Sequence, residues 1–185
     1  MVKFTIEKNQ GGFDMEKIKI NTEKLCGFYV SDWHLVTMIL PYINKELNEK
    51  ANITTVLENN IENNIKTLIA KLNLKNETEI LQIDWKNKQK VKEEELEKMI
   101  SSNTNIILVN GSKEYIDFTN QKIEEWIKCH SEVNTTLKIV NCYEVTEFNN
   151  SIKEILDSHD KILNTAGEKY IYEVFEGYSP VKKIC

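Results

Sequence analysis

The sequence predicts an α/β fold: a three-layer sandwich with a mostly parallel central sheet and a C-terminal antiparallel hairpin. Short β-branched apolar runs alternate with longer segments of helical period, the pattern of repeated βα units. The chain has 185 residues, 41% of them hydrophobic, with six Gly and two Pro, which suits one compact domain. Near the end, two short runs flank Ala166-Gly167, the pattern of a tight hairpin.

Each element can be placed in order. Residues 1–23 carry Gly11-Gly12 and Met15 and read as an extension or peripheral hairpin, with the domain proper over 24–185. Leu25 to Val30 is the first strand. Ser31 or Asp32 then caps a helix whose apolar residues Leu35, Ile39, Tyr42, Ile43 and Leu47 recur at helical spacing. Pro41 lies within that helix and is expected to bend or break it. Asn52 to Leu57 is the second strand, and Asn59 with Glu62 starts a helix through Ile61, Ile65, Leu68, Ile69 and Leu72. Glu79 to Ile83 (EILQI) reads as a third strand, followed by a polar stretch and an acidic helix over Glu93 to Ile100. Asn105 to Val109 is the most apolar strand and is expected at the centre of the sheet. Asn110-Gly111-Ser112 turns into a long helix with Tyr115, Ile116, Thr119, Ile123, Trp126 and Ile127 along one face. Leu137 to Tyr143 is the next strand, a helix follows from about Thr146 to Leu156, and Lys161 to Leu163 with Lys169 to Val174 form the hairpin.

Composition narrows the function. All 24 basic residues are Lys and Arg is absent, so the planar fork that reads guanine or clamps phosphate is missing. An AT-rich codon bias toward Lys, Asn and Ile explains the same composition. A net charge of -5 argues against nucleic-acid and anionic-membrane partners, which need a basic footprint. No apolar run reaches membrane-spanning length and no export signal opens the chain, so a cytoplasmic location is expected. Cys26, Cys129, Cys142 and Cys185 form no C-x-x-C pair and read as free thiols. His34, His130 and His159 have no zinc-type spacing, so neither metal nor cofactor is implied.

In a parallel α/β sheet, ligands bind beyond the carboxyl ends of the strands. The residues expected there are Tyr29, Asp32, Trp33 and His34; Glu58; Trp85; Asn110 and Ser112; and Cys142 and Tyr143. They suit a modest polar and aromatic pocket, although polar residues at loop ends also serve as helix caps. The first strand-to-helix link, V-S-D-W-H-L, has neither glycine nor lysine and carries an acid, so it is no phosphate loop; G-x-G-x-x-G and G-x-S-x-G are also absent. Asn110-Gly111-Ser112 could hold a small anion or simply cap a helix. His34 could act as acid, base or ligand, or be a solvated or core histidine. Cys142 could be a reactive thiol if its pKa were depressed, or a buried small hydrophobe. His159, between Asp157 and Asp160 along the chain with Ser158, could sense pH or bind a ligand, or sit in a surface loop.

Several of these segments together resemble the MEDS domain (methanogen/methylotroph, DcmR sensory domain), a KaiC/RecA-like fold lacking the P-loop. The residues are Cys26-Gly27-Phe28-Tyr29-Val30-Ser31-Asp32 followed by Leu40-Pro41-Tyr42-Ile43; Glu114-Tyr115 through Asn120; Val140-Asn141-Cys142-Tyr143 with Phe148; and Asp157-Ser158-His159-Asp160 before Lys161-Ile162-Leu163. Order and spacing over about residues 24–175 carry the likeness. Where the family often has His-Ile-Cys, this chain has Lys24-Leu25-Cys26. The resemblance implies a non-catalytic sensory domain that binds a small molecule or a signalling protein. Its output would lie on another chain, a kinase or transcription regulator, through a possible homodimer. Two alternatives stand beside it: a small-molecule enzyme using Cys142, His159 or His34, and a scaffold that presents a helical face.

Overall fold

The computed structural model describes residues 20–88, 90–98, 104–129, 135–145 and 151–179. The N-terminal Gly-Gly hairpin, the first residues of the helix expected from Thr146, His130 and Cys185 lie outside them. In chain order the elements are β1 (Asn21–Tyr29), α1 (Asp32–Asn48), β2 (Asn52–Leu57), α2 (Glu62–Ile69), α3 (Glu77–Gln82), α4 (Glu93–Lys98), β3 (Thr104–Asn110), α5 (Lys113–Cys129), β4 (Thr136–Glu144), α6 (Ile152–Asp157), β5 (Lys161–Asn164), β6 (Gly167–Tyr170) and α7 (Ile171–Val174).

The sheet order is β2-β3-β4-β1-β5-β6, parallel throughout except for the antiparallel β5-β6 hairpin. Successive side chains of a strand point to opposite faces, and two apolar layers follow. Leu25, Tyr29, Leu57, Leu108, Val140 and Leu163 pack under α1, α2 and α3. Cys26, Val56, Val109, Ile139, Tyr143 and Ile162 pack under α4, α5, α6 and α7. The expected three-layer α/β sandwich is therefore present.

Four expectations change. Glu79 to Ile83 is no strand: α3 covers most of it, Ile80 is buried, and Leu81 is 42% exposed. The Trp85 indole N–H donates to the Ile80 carbonyl at 2.8 Å and holds this turn against the core. Helix α1 runs through Pro41, so of the bend or break expected there the break does not occur. Strand β3 is interior, between β2 and β4, while β4 and β1 take the middle of the sheet. Residues 171–174 leave the hairpin as the short helix α7. A smaller shift occurs at α2, where Asn60, not Asn59, accepts the Glu62 backbone N–H at 2.9 Å. At the other end of the domain, Ile20 is already in the core and β1 starts at Asn21, ahead of the boundary expected at residue 24.

At the amino ends of the strands, on the α1 face, Glu46 of α1 is 1% exposed. Lys138 of β4 reaches both its carboxylate oxygens, at 3.1 and 3.2 Å, and also Glu168 of β6 at 3.2 Å. Lys161 of β5 joins Glu168 at 3.3 Å to Glu23 of β1 at 2.6 Å. This lattice ties α1 to four strands. Burial pushes the Glu168 carboxyl up, but the ammoniums of Lys138 and Lys161 outweigh it and hold Glu168 below the ordinary range.

Two outcomes are expected. Lys138→Met strands Glu46 as a buried charge and should cost about 3–5 kcal/mol in urea unfolding, most of it regained in Lys138→Met/Glu46→Leu. A carboxyl depressed in the folded state contributes stability that is present above its unfolded pKa and lost as pH falls through its folded pKa. The difference between wild type and Glu168→Gln should therefore shrink from about pH 6 to about pH 3; a pH-independent difference would contradict it.

Candidate functional site

The residues expected at the strand ends do not form one pocket. The structure divides them into a sealed knot, a helix cap and a polar cleft.

The knot joins three strand ends. Asn110, last in β3 and 1% exposed, donates through Nδ2 to the Tyr29 hydroxyl at 2.7 Å and to the Cys142 carbonyl at 3.3 Å. Burial pushes the Tyr29 phenol up, so it stays protonated. Cys142 is fully buried, and burial, with Cys26 nearby, pushes its thiol well above the usual range. Burial also pushes Cys26 up to about 12. Both are neutral thiols near pH 7 and poor nucleophiles, as the small-hydrophobe reading expects.

The cap is Glu58. It follows β2, and its carboxylate accepts the Ser112 backbone N–H at 2.5 Å and the Ser112 hydroxyl at 3.2 Å. An anion is stabilised at a helix N-terminus, and here the chain supplies its own to α5. The turn needs Gly111: a Cβ there would lie 2.7 Å from Glu58 Cβ and 2.8 Å from Tyr115 Cδ1. Asn110-Gly111-Ser112 thus acts as a cap. His34 is similarly engaged: its Nδ1 accepts the Val30 N–H at 3.3 Å, and its own N–H donates to the Ser31 hydroxyl, the α1 cap. Asp32 is exposed and Trp33 is 49% exposed, whereas Trp85 is a core residue.

The cleft lies on the opposite face of the sheet from α1, beside α5 and the turn after α6. It has a volume of about 240 Å³ and is lined by Lys24 of β1, Asp117, Asn120, Gln121 and Glu124 of α5, Tyr143 of β4, and Ser158 and His159. Of the expected site residues it brings together Tyr143 and His159, whose rings meet edge to face at 5.9 Å. His159 is 7% exposed, so it is no surface-loop residue. Its Nδ1 lies 2.6 Å from the Ile155 carbonyl and 3.0 Å from the Ser158 hydroxyl. Its Nε2 lies 2.9 Å from Nδ2 of Asn141, which is fully buried. A carbonyl only accepts, so the Ile155 contact places the proton on Nδ1; Nε2 then accepts from Asn141. Both ring nitrogens are committed.

Charges surround this ring. Lys24 pairs with Glu124 at 2.5 Å, and Lys113 with Asp117 at 2.7 Å. Burial is the main reason the Tyr143 phenol is pushed up, with Asp117 adding to it, so Tyr143 also stays protonated. The Lys24 carbonyl accepts the Asp160 N–H at 2.8 Å, and the Asp160 carboxylate accepts the Lys24 N–H at 2.8 Å, which fixes the turn carrying His159 to β1.

Sequence reasoning missed Asn141 and the α5 wall. Both left a signal: Asp117, Asn120, Gln121 and Glu124 stand at i, i+3, i+4 and i+7, one polar stripe of a helix, and Asn141 interrupts the apolar run Ile139-Val140-Asn141-Cys142. Among the described residues, no group of three or more His, Cys, Asp and Glu side chains could hold a metal ion.

Long-range ¹H–¹⁵N spectra should show His159 as the neutral Nδ1–H tautomer at pH 7.5, and an Nε2–H pattern would contradict the assignment. Asn141→Leu leaves Nε2 buried without its donor and should cost about 1–3 kcal/mol in urea unfolding. No known family, no curated protein and no solved structure matches this chain.

Proposed function

We propose that the chain is a non-catalytic sensory domain of the kind the MEDS resemblance implies. A small molecule enters the polar cleft over Tyr143 and His159, shifts the conformational population, and the change is read by a separate output protein. The observation that carries this reading is the cleft itself. Tyr143 and His159 come from different elements and converge, with the fully buried Asn141 at His159, on a space of about 240 Å³ walled by polar side chains.

The state of the cleft's groups supports binding over catalysis. A general base must have a free lone pair within reach of the proton it takes, and His159 has Nδ1 committed to Ile155 and Nε2 to Asn141. A thiol nucleophile needs a depressed pKa, and burial drives Cys26 and Cys142 the other way. An anionic ligand at the α5 N-terminus would have to displace Glu58.

A thermal-shift screen of small polar metabolites tests the reading, with Asn120→Leu as the cleft variant. A ligand at about 100 times its Kd adds about 2.7 kcal/mol to the folded state, a rise of several degrees in a chain of this size. At least one compound should raise the wild-type midpoint in this way and raise that of Asn120→Leu much less. A flat response across the panel, or stabilisation that Asn120→Leu keeps in full, would overturn it.

A further inference from the structure

We propose that His159 and Asn141 form a proton-driven switch: on acidification the imidazole takes a proton from solvent at Nε2, and the Asn141 amide turns over to accept it in a hydrogen bond. Such a pair responds to pH whether or not a small molecule occupies the cleft.

Two hydrogen bonds hold the neutral ring. Its Nδ1–H donates to the Ile155 carbonyl at 2.6 Å, and Nε2 accepts from Asn141 Nδ2 at 2.9 Å. Asn141 is fully buried, and among the described residues its Oδ1 has no donor. A buried amide oxygen without a donor is costly. While the ring is neutral a flip cannot relieve it, because Oδ1 would then face the lone pair of Nε2. Protonation reverses this preference. Nε2 becomes a donor, the Nδ2 group opposite it is now a donor facing a donor, and the half-turn of the amide brings Oδ1 against Nε2–H. The ring then donates from both nitrogens. It has two hydrogen bonds in either state, and in the acid state both are charge-assisted and stronger. An amide serves both states because it carries a donor and an acceptor of nearly the same shape, exchanged by rotation about one bond.

The charges around the ring favour the acid state. Asp117 and Glu124 of α5 and Lys24 of β1 line the cleft with His159, Lys24 paired with Glu124 and Asp117 with Lys113. Glu154 of α6 also draws on Lys113, at 3.7 Å. On the turn itself, Asp157 accepts the Tyr178 hydroxyl at 3.0 Å and Asp160 accepts the Lys24 backbone N–H at 2.8 Å. Tyr143 of β4 meets the ring edge to face and Cys26 of β1 lies in the same apolar layer; burial keeps both protonated and neutral. Among these groups carboxylates outnumber ammoniums, an excess that favours an imidazolium. Burial opposes it, but His159 lines the cleft and is 7% exposed, so the ring is not sealed from water.

NMR of the full chain from about pH 8 to about pH 5, the range in which histidine changes charge, tests the switch. Scalar coupling across the Asn141 Nδ2–H to His159 Nε2 hydrogen bond should be present at the alkaline end. It should vanish as the ring ¹⁵N signals move to the doubly protonated pattern, while the other amides keep their folded positions. Asn141→Leu removes the oxygen that receives Nε2–H, so His159 should bind its proton roughly tenfold more weakly. Asn141→Asp supplies a standing acceptor, so the proton should be held roughly tenfold more tightly. Urea midpoints report separately whether each variant folds, and the wild-type coupling decides the matter if neither does. A ring that stays neutral throughout the folded range, a coupling that survives protonation, or a His159 midpoint that fails to move in opposite directions in the two folded variants would overturn the proposal.

Discussion

The fold depends on the parallel pairing of β1 with β4. The first strand is laid beside one formed much later, Asn21 against Thr136 through Tyr29 against Glu144, and β5 closes its other side. Because side chains alternate along a strand, this register decides both faces at once. It sends Leu25, Tyr29, Val140 and Cys142 under α1 and α2, and Cys26, Phe28, Ile139 and Tyr143 under α5 and α6. Asn141 shares the second face and so meets His159. A slip of one residue in β4 would place the amide under α1 and the Cys142 thiol at the imidazole. The same register keeps Cys26 and Cys142 in opposite layers although they sit on adjacent strands.

Given that frame, the buried polar groups are distributed by what it costs to bury them. Among the described residues, buried charge appears only at the amino ends of the strands, where Glu46 has Lys138 across both oxygens and the lattice runs outward to partly exposed Glu23 and Lys161. An isolated charge there would be far costlier than any neutral group. At the carboxyl ends the interior groups are neutral: an amide, a phenol and a carbonyl meet in the Asn110 knot. Mid-sheet, beneath the cleft, the pair is again neutral, amide to imidazole. The cleft therefore has a neutral amide–imidazole pair beneath it, with charged side chains at the α5 wall and at Lys24 of β1.

Most of the sheet was legible in the residues. Asn52 to Leu57, Asn105 to Val109 and Leu137 to Tyr143 are runs of strand length that carry β-branched residues, and they lie within β2, β3 and β4. EILQI failed because a short apolar run does not distinguish a strand from a turn of helix. The deciding facts are tertiary: the free edge of β2 is already covered where the Lys88 N–H donates to the Leu57 carbonyl at 2.6 Å and the Thr55 hydroxyl bonds the Asp84 carbonyl, and Trp85 pulls Ile80 inward. The site was half legible. Tyr143 and His159 were named from strand-end position and from the resemblance. Glu58 and Ser112, named with them, serve each other as a cap, and no local pattern says that a carboxylate after β2 will reach a helix after β3.

One connection links the cleft to the rest of the chain. His159 stands a single residue before β5, and Asp160 between them is bonded in both directions to Lys24 of β1. The turn carrying the ring is thus bonded to β1 and continuous with β5. Strand β5 pairs with β6, and β6 runs straight into α7, where Tyr170 and Tyr172 stack at 5.4 Å and both stand about half exposed. A ligand shifts an equilibrium only by binding one arrangement better than another. The group whose arrangement a cleft ligand would bias is the Ser158-His159 turn, and its covalent path to the exposed tyrosines runs through the β5-β6 hairpin. The wall built from α5 is a continuous helix of 17 residues seated along its length on Ile116, Ile123 and Trp126, and it offers far less travel. A response to binding would therefore emerge at the hairpin edge of the sheet, away from the β2 edge, where β5 meets β1 over three residues and β6 over four.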